Sequence, residues 1–166
     1  MTKITESLNL KLRPTPENIY CMVRKEWVTA LPEENVRQAL LGKMIHELGF
    51  PLELIGVEKG LKQMPHLCLN GSKIPERRAD IICFGKGIHP EHSIYPLLVV
   101  ECKAIKFTTK STHQVVGYNH HVKAYYVALA NQTQFQLGWY DFSKQSYTFI
   151  PFLPSYAELI KAVQVK

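Results

Sequence analysis

The chain has 166 residues, of which 46% are apolar and 20% charged, a balance typical of one globular domain and not of a disordered segment. Twenty Lys and Arg against fourteen Asp and Glu give a net charge of +6, which permits a polyanionic partner without establishing one. No apolar run is long enough to span a bilayer, the N-terminus has no secretory h-region and the four cysteines are scattered, so we expect a cytoplasmic protein with reduced thiols and no membrane partner.

Residues 1–30 predict an N-terminal arm, and residues 31–166 predict a single domain. The first helix should begin near Pro32, because Pro early in a helix and acids in its first turn, Glu33 and Glu34, suit a helix start. Apolar residues at helical spacing follow, and Gly49 should end the helix. The segment "PLELIGVEKGL" then predicts a strand, and "LNGSKIPERR" predicts a polar loop.

The next two segments, "ADIICF" and "LLVVECKAI", predict strands joined by a loop with Gly, Pro and His. Helical spacing returns from residue 111 to 123, "YYVALA" predicts another strand, and "FQLGWYDF" and "SYTFIPF" predict a closing hairpin. A short helix is predicted through "SYAELIKAVQ". The fold class is therefore α/β, in the order helix, three strands, helix, strand and C-terminal hairpin.

Charged residues interrupt the two central strands. Glu101 and Lys103 are two positions apart in one strand and point to the same face, where Asp80 of the neighbouring strand can reach them. Two carboxylates suit Mg²⁺, which takes few protein carboxylates and completes its shell with water and phosphate oxygens. A metal polarises a phosphate and activates water, while a nearby Lys orients that water or neutralises developing charge. The pattern thus favours a metal-dependent phosphodiesterase, and the alternative is a structural ion-pair network at the strand ends.

Other patterns point less clearly to chemistry. His89 and His92 form H-x-x-H in a loop without a cysteine pair, which is a weak zinc pattern. Cys102 should face the core as an inert thiol, which argues against a nucleophilic pair with His113. Arg24, like Lys25 and the basic pair at 77 and 78, is expected to be a solvated charge or a phosphate contact.

Asp80 followed by "ECK" resembles the motif of the PD-(D/E)XK nuclease superfamily, with Ala79 where that motif has Pro. The order "EENVRQ", "GVEKGL", "RRADIICF", "LLVVECKA" and "QVVGYN" is similar to the N-terminal nuclease domain of the restriction (R) subunits of type I restriction enzymes. The likeness covers residues 20–150. It implies a restriction-endonuclease-like core of helix, three-strand meander, helix and strand, extended by the C-terminal hairpin.

The resemblance also implies the site. Asp80, Glu101 and Lys103 would be catalytic, and Gln114 and Tyr118 match the family's Q-x-x-x-Y motif that supports the site and its DNA. Those two residues could instead be polar surface of an amphipathic helix. Mg²⁺, with Mn²⁺ as a substitute, would be held by Asp80 and Glu101.

Two further acids are candidates for the metal site. Glu34 is equally explained as a helix-dipole residue, and Glu58 as an exposed strand residue. The motif does not decide between them.

The implied partners are DNA and methylase, specificity or motor subunits of a restriction-modification system. The sequence contains no G-x-x-x-x-G-K-[ST] phosphate loop, so we expect a domain without its own ATP-driven motor, which cuts plain duplex DNA weakly when isolated. The alternatives are a catalytically idle module that binds DNA or a partner subunit, and a nuclease acting on RNA or branched DNA.

Overall fold

The computed structural model describes residues 17–67 and 76–164. Residues 1–16 of the predicted arm, residue 68 and residues 69–75 of the predicted polar loop lie outside the described part. Within the arm, Asn18–Cys21 (β1) and Glu26–Thr29 (β2) pair as an antiparallel hairpin that the sequence did not predict. Its turn uses the left-handed region at Lys25, with φ of 58°, and no Gly or Asn marks it in the sequence. The predicted boundary between arm and domain stays a prediction.

The first predicted helix is confirmed as Pro32–His46 (α1), which begins at the proline and carries both acids in its first turn. Gly49 follows its end with φ of +70°, a conformation that glycine adopts without steric cost. The helix buries its apolar stripe, and it also buries three polar side chains, Glu34, Asn35 and Arg37. Burial of a carboxylate and a guanidinium requires partners, and these lie at the candidate site.

Six strands form one mixed sheet in the order β3-β4-β5-β6-β7-β8. They are Ile55–Gly60 (β3), Arg78–Lys86 (β4), Ile94–Cys102 (β5), Tyr126–Ala130 (β6), Phe135–Asp141 (β7) and Ser146–Ile150 (β8). Neighbouring strands are antiparallel except β5 and β6, which are parallel and joined by Thr109–Val122 (α2). Single turns of 3-10 helix at Leu52–Leu54 and Leu61–Gln63 flank β3. The predicted α/β class is therefore confirmed, as a six-stranded mixed sheet with three helices.

The helices cover both faces of the sheet. The larger apolar cluster joins one face to α1 and to Tyr156–Gln164 (α3), and the smaller cluster joins the other face to α2. A capping box starts α2: Ser111 N donates to Thr108 Oγ1, and Thr108 N donates to Ser111 Oγ. This cap fixes the start of the helix that carries the predicted Gln114 and Tyr118. No helix in the described part of the chain is long and apolar enough to cross a membrane.

Candidate active site

Strand register brings three acids of separate strands into one row. Val57 pairs with Ile81 and Lys59 with Ala79, so Glu58 stands level with Asp80 between those pairs. On the other side Ile81 pairs with Val100, and the same register carried one residue further sets Asp80 beside Glu101. Opposed residues of neighbouring strands share a face of the sheet and lie close together.

Asp80 uses both of its carboxylate oxygens. Arg37 Nη2 donates to Oδ1 at 2.6 Å, and the backbone N–H of Cys102 donates to Oδ2 at 2.7 Å. The second bond ties the start of β4 to the end of β5, one residue after Glu101. The Asp80 side chain is thus held by an element on each side, and its carboxylate direction is fixed.

Glu101, Lys103 and Gln114 form a closed triangle of hydrogen bonds. Lys103 Nζ donates to Glu101 Oε1 at 3.0 Å and to Gln114 Oε1 at 3.1 Å, and Gln114 Nε2 donates to Glu101 Oε1 at 3.1 Å. Burial raises the pKa of Glu101, the charge of Asp80 raises it further, and Lys103 opposes both without cancelling them. A further positive charge between Asp80 and Glu101 would relieve the repulsion between their carboxylates.

Two arginines connect the remaining acids. Arg37 Nη1 donates to Glu34 Oε2 at 2.6 Å and lies 3.6 Å from Glu58 Oε1, while Arg24 bridges Glu34 Oε1 at 2.5 Å and Glu58 Oε2 at 2.9 Å. Burial lowers the pKa of Arg37, but the charges of Asp80 and Glu34 outweigh it and hold that pKa above its usual value. Glu58 adopts φ of +53°, which is rare for a residue with a side chain. Arg24 is largely buried, so the expectation that it is a solvated charge is wrong.

Tyr118 lies apart from the triangle, although it follows Gln114 by one helical turn. Its ring is buried beneath the Arg77 guanidinium, 5.3 Å from the ring centroid, and its hydroxyl donates a long bond of 3.5 Å to the Arg77 carbonyl. Burial raises the Tyr118 pKa to about 12, so the phenol stays neutral at physiological pH. The structure therefore gathers Asp80, Glu101, Lys103 and Gln114, and it sets Tyr118 at the strand that leads to them.

Glu34 and Glu58 join this cluster through the arginines, not through direct contact with the triangle. The sequence did not identify Arg24 and Arg37 as members of the site. The position of Arg37 three residues after Glu34, on the inner side of α1, was the available signal.

The carboxylates of the cluster are the available protein ligands for Mg²⁺. Within residues 17–67 and 76–164, no group of three or more His, Cys, Asp or Glu side chains is arranged to hold a metal ion. Mg²⁺ does not need such a cage, because one or two carboxylates suffice when water and phosphate oxygens complete the shell. Asp80 and Glu101 are such a pair, and each oxygen that accepts one hydrogen bond keeps a second lone pair.

The other chemical alternatives receive no support from the described residues. His89 and His92 stack around Tyr95 and His66 as rings. Cys102 is buried, as expected, and burial raises its thiol pKa well above the usual value, which leaves it inert at neutral pH.

The fold is a mixed α/β domain in which acids, arginines and one lysine lie together at the ends of the central strands. Comparison with known proteins identifies the family of the chain. The family model described as type I restriction enzyme R protein N terminus matches residues 32–154. The chain belongs to that family, which connects it with restriction enzymes. The match runs from the first residue of α1 past β8 and includes every sequence-predicted site residue, but not Arg24. Searches of curated proteins and of solved structures gave no significant match.

Proposed function

We propose that this domain is a Mg²⁺-dependent endonuclease that hydrolyses phosphodiester bonds of DNA, with Asp80, Glu101 and Lys103 as its catalytic residues. The observation that carries the proposal is that Asp80 accepts a hydrogen bond from the Cys102 N–H, between Glu101 and Lys103, whose side chains bond each other. Membership of the restriction-enzyme family supports DNA as the substrate. The element order α1, β3 to β5, α2 and β6 supports a restriction-endonuclease-like core.

Each residue has a defined task in this proposal. Asp80 and Glu101 would hold Mg²⁺, or Mn²⁺ in its place, with Glu58 or Glu34 as a further acid. When bound, the ion supplies Lewis-acid polarisation of the scissile phosphate and lowers the pKa of a bound water. Lys103 Nζ orients the attacking water and neutralises charge that develops on the phosphate.

Two neutral groups keep these side chains in position. Gln114 contacts both Lys103 and Glu101 and so fixes their separation. Tyr118 packs under Arg77 and steadies the entry of β4, which carries Asp80.

The proposed setting follows from the family. Components of restriction-modification systems work together, so we propose methylase, specificity or motor subunits as partners and the cytoplasm as the place of action. Such a partner would deliver DNA to the site.

A second candidate function is a catalytically idle module that binds DNA or a partner subunit. One observation favours it: both Asp80 oxygens already accept hydrogen bonds, and Arg37 holds one of them at 2.6 Å. In an idle module the arginines would replace the metal permanently. A metal titration separates the two functions, because an idle module has no reason to capture a divalent cation here.

The test is calorimetric titration of Mn²⁺ into the wild-type domain and into Asp80→Asn and Glu101→Gln. We expect saturable binding in the wild type and its loss in both variants. Glu47→Gln is the matched control, because that acid lies at the end of α1 with a 66% exposed side chain and only a 3.9 Å contact with Lys43. The same preparations are then assayed for Mn²⁺-dependent nicking of supercoiled plasmid at stoichiometric protein. Absence of Mn²⁺ binding, or binding that both site variants retain, would refute the proposed nuclease.

A further inference from the structure

The β7–β8 hairpin carries aromatic rings on the sheet face that also carries Glu101. Glu101 is level with Leu129 of β6, and Leu129 is level with Gln136 of β7, so these three residues share a face. Alternate residues of β7 continue that face to Gly138 and Tyr140. On β8, Phe149 and Tyr147 stand opposite those two residues.

Four rings contact one another as a continuous chain. We call them the aromatic row: Phe142, Tyr140, Tyr147 and Phe149. Phe142 and Tyr147 each contact Tyr140 edge-on, with centroids 5.0 Å and 5.7 Å away, and the Tyr147 and Phe149 rings are nearly parallel at 6.1 Å. Gly138 makes this possible, because the Phe149 ring lies where a Cβ at that position would be. Phe142 is 82% exposed and Tyr140 is 39% exposed, so the outer half of the row meets solvent.

The segment of sequence that contains the aromatic row has few acids. Between Lys103 and Glu158 the sequence has a single acid, Asp141, and four lysines, namely Lys106, Lys110, Lys123 and Lys144. The Asp141 carboxylate is already engaged by the Ser143 hydroxyl at 2.6 Å and lies 3.6 Å from Lys144. The last turn of α2 adds His120 and His121. A polyanion that approaches the aromatic row therefore meets lysines and little repulsion from this segment.

We propose that the aromatic row is a stacking surface for unpaired bases of single-stranded DNA, a proposal that rests on the nuclease function above and extends it to the form of the substrate. Exposed rings stack on bases of any identity, but in a duplex the base faces are covered by their neighbours, so only unpaired bases fit. The lysines of α2 and of the hairpin would then pair with the phosphates of the same strand.

The spacing sets the length of DNA involved. Tyr140 is four residues from Gln136, which is level with Glu101, and β7 is two strands from β5. With a strand rise of ~3.4 Å and a strand spacing of ~4.8 Å, the row begins about 17 Å from the carboxylate. Helix α2 covers Leu129 on this face, so the DNA passes around that helix, and at the rise of ~3.4 Å per nucleotide of a stacked strand it needs at least about five nucleotides. The preferred substrate would carry a melted or single-stranded segment of that length beside the bond to be cut.

The experiment measures fluorescence anisotropy of a labelled twelve-residue oligothymidylate, with EDTA present to prevent cleavage. The double variant Tyr140→Ala/Phe142→Ala should bind at least about fivefold more weakly than the wild type, the lower end expected for loss of base stacking. Phe142→Trp should bind as well as the wild type, because indole also stacks.

The chain provides a matched control on the β1–β2 hairpin. Tyr20 and Trp27 are 43% and 70% exposed and contact edge-on at 5.5 Å, but Glu26 precedes Trp27 and Glu17 lies three residues before Tyr20. Tyr20→Ala/Trp27→Ala should leave oligonucleotide binding unchanged. Equal loss in both double variants, no loss in the first, or an equal loss of affinity for duplex DNA would overturn the proposal. So would a change of oligomeric state on size exclusion in the first variant alone, because the row would then be a contact between copies.

The experiments distinguish a failure of the proposed stacking surface from a failure of the proposed nuclease function. Glu101→Gln should abolish Mn²⁺ binding and nicking while oligothymidylate binding persists. If the row variants bind normally but nicking still depends on Glu101, only the stacking surface is refuted. If the row binds DNA but Mn²⁺ does not bind at all, only the nuclease is refuted.

Discussion

Replacing Arg37 by methionine tests whether the cluster of acids depends on that one guanidinium. The Arg37 side chain is 6% exposed and bonds Glu34 and Asp80 at 2.6 Å each, so solvent screens these pairs little. Removing one partner of a buried ion pair costs roughly 3–5 kcal/mol, because the other charge is left uncompensated. For a domain of this size each kcal/mol corresponds to about 2–4 °C, so Tm should fall by about 6–20 °C.

The loss should be concentrated on Asp80. Glu34 keeps hydrogen bonds from Arg24 and Gln38 in the variant, whereas among the residues that the structure describes Asp80 keeps only the Cys102 N–H. Asp80→Asn in the Arg37→Met background should therefore recover part of the lost stability, and a double-mutant cycle should give a coupling of about 0.5–3 kcal/mol. The assay is urea unfolding followed by circular dichroism, with thermal melts on the same proteins.

Arg24→Met is the control, since Arg24 bonds two acids with similar geometry but has a side chain that is 17% exposed. It should cost less than Arg37→Met. The reasoning is refuted if Arg37→Met unfolds within about 0.5 kcal/mol of the wild type, the usual range for surface substitutions. It is also refuted if Arg24→Met is the more damaging of the two.

Three further predictions concern the triangle and the isolated chain. Glu101→Gln should raise Tm at neutral pH. The pKa of Glu101 is raised in the folded protein, so the wild type loses stability as pH rises above the pKa of the unfolded chain, about 4.3. The difference in Tm between variant and wild type should therefore vanish at the acidic end of melts recorded from about pH 4 to 8. A gain that grows at low pH would contradict this. Gln114→Ala should slow Mn²⁺-dependent cleavage by about tenfold or more with Tm nearly unchanged. Tyr118→Phe should slow it less, because the Tyr118 hydroxyl bonds backbone and not the triangle. A Gln114→Ala variant that cleaves at the wild-type rate would show that Gln114 only packs. The isolated chain should nick plasmid slowly even with Mn²⁺, and rapid multiple-turnover digestion would show that no delivering partner is needed.

The strands and helices could be predicted because each has a local cause. Continuous apolar runs such as "LLVVEC" mark buried strands, and Pro32 with two acids marks the start of α1. The β1–β2 hairpin was missed because its turn is set by Lys25 in the left-handed region, for which the sequence holds no signal. The turn is closed by the Lys25 N–H, which donates to the Cys21 carbonyl at 2.8 Å, and a backbone bond of this kind leaves no mark in the side-chain pattern.

Only part of the geometry of the candidate site could be predicted from the sequence. Strand alternation alone brings Lys103 to Glu101, and pairing of β4 with β5 adds Asp80. The arginines were not predictable, because a charged residue is expected at the surface unless its partners are known. The partners of Arg37 come from α1, β3 and β4, and only the assembled fold brings them together.

Repulsion between Asp80 and Glu101 separates a structural ion-pair network from a site for a cation. The ion pairs link four carboxylates, those of Glu34, Glu58, Asp80 and Glu101, to three cations, Arg24, Arg37 and Lys103, and the charge of Arg77 also acts on Glu101. The pKa of Glu101 is nevertheless raised, first by burial and then by the charge of Asp80. A network that served only stability would not gain from two carboxylates that repel each other where solvent screens them little. A divalent cation between them would relieve that repulsion, which favours the nuclease over the idle module.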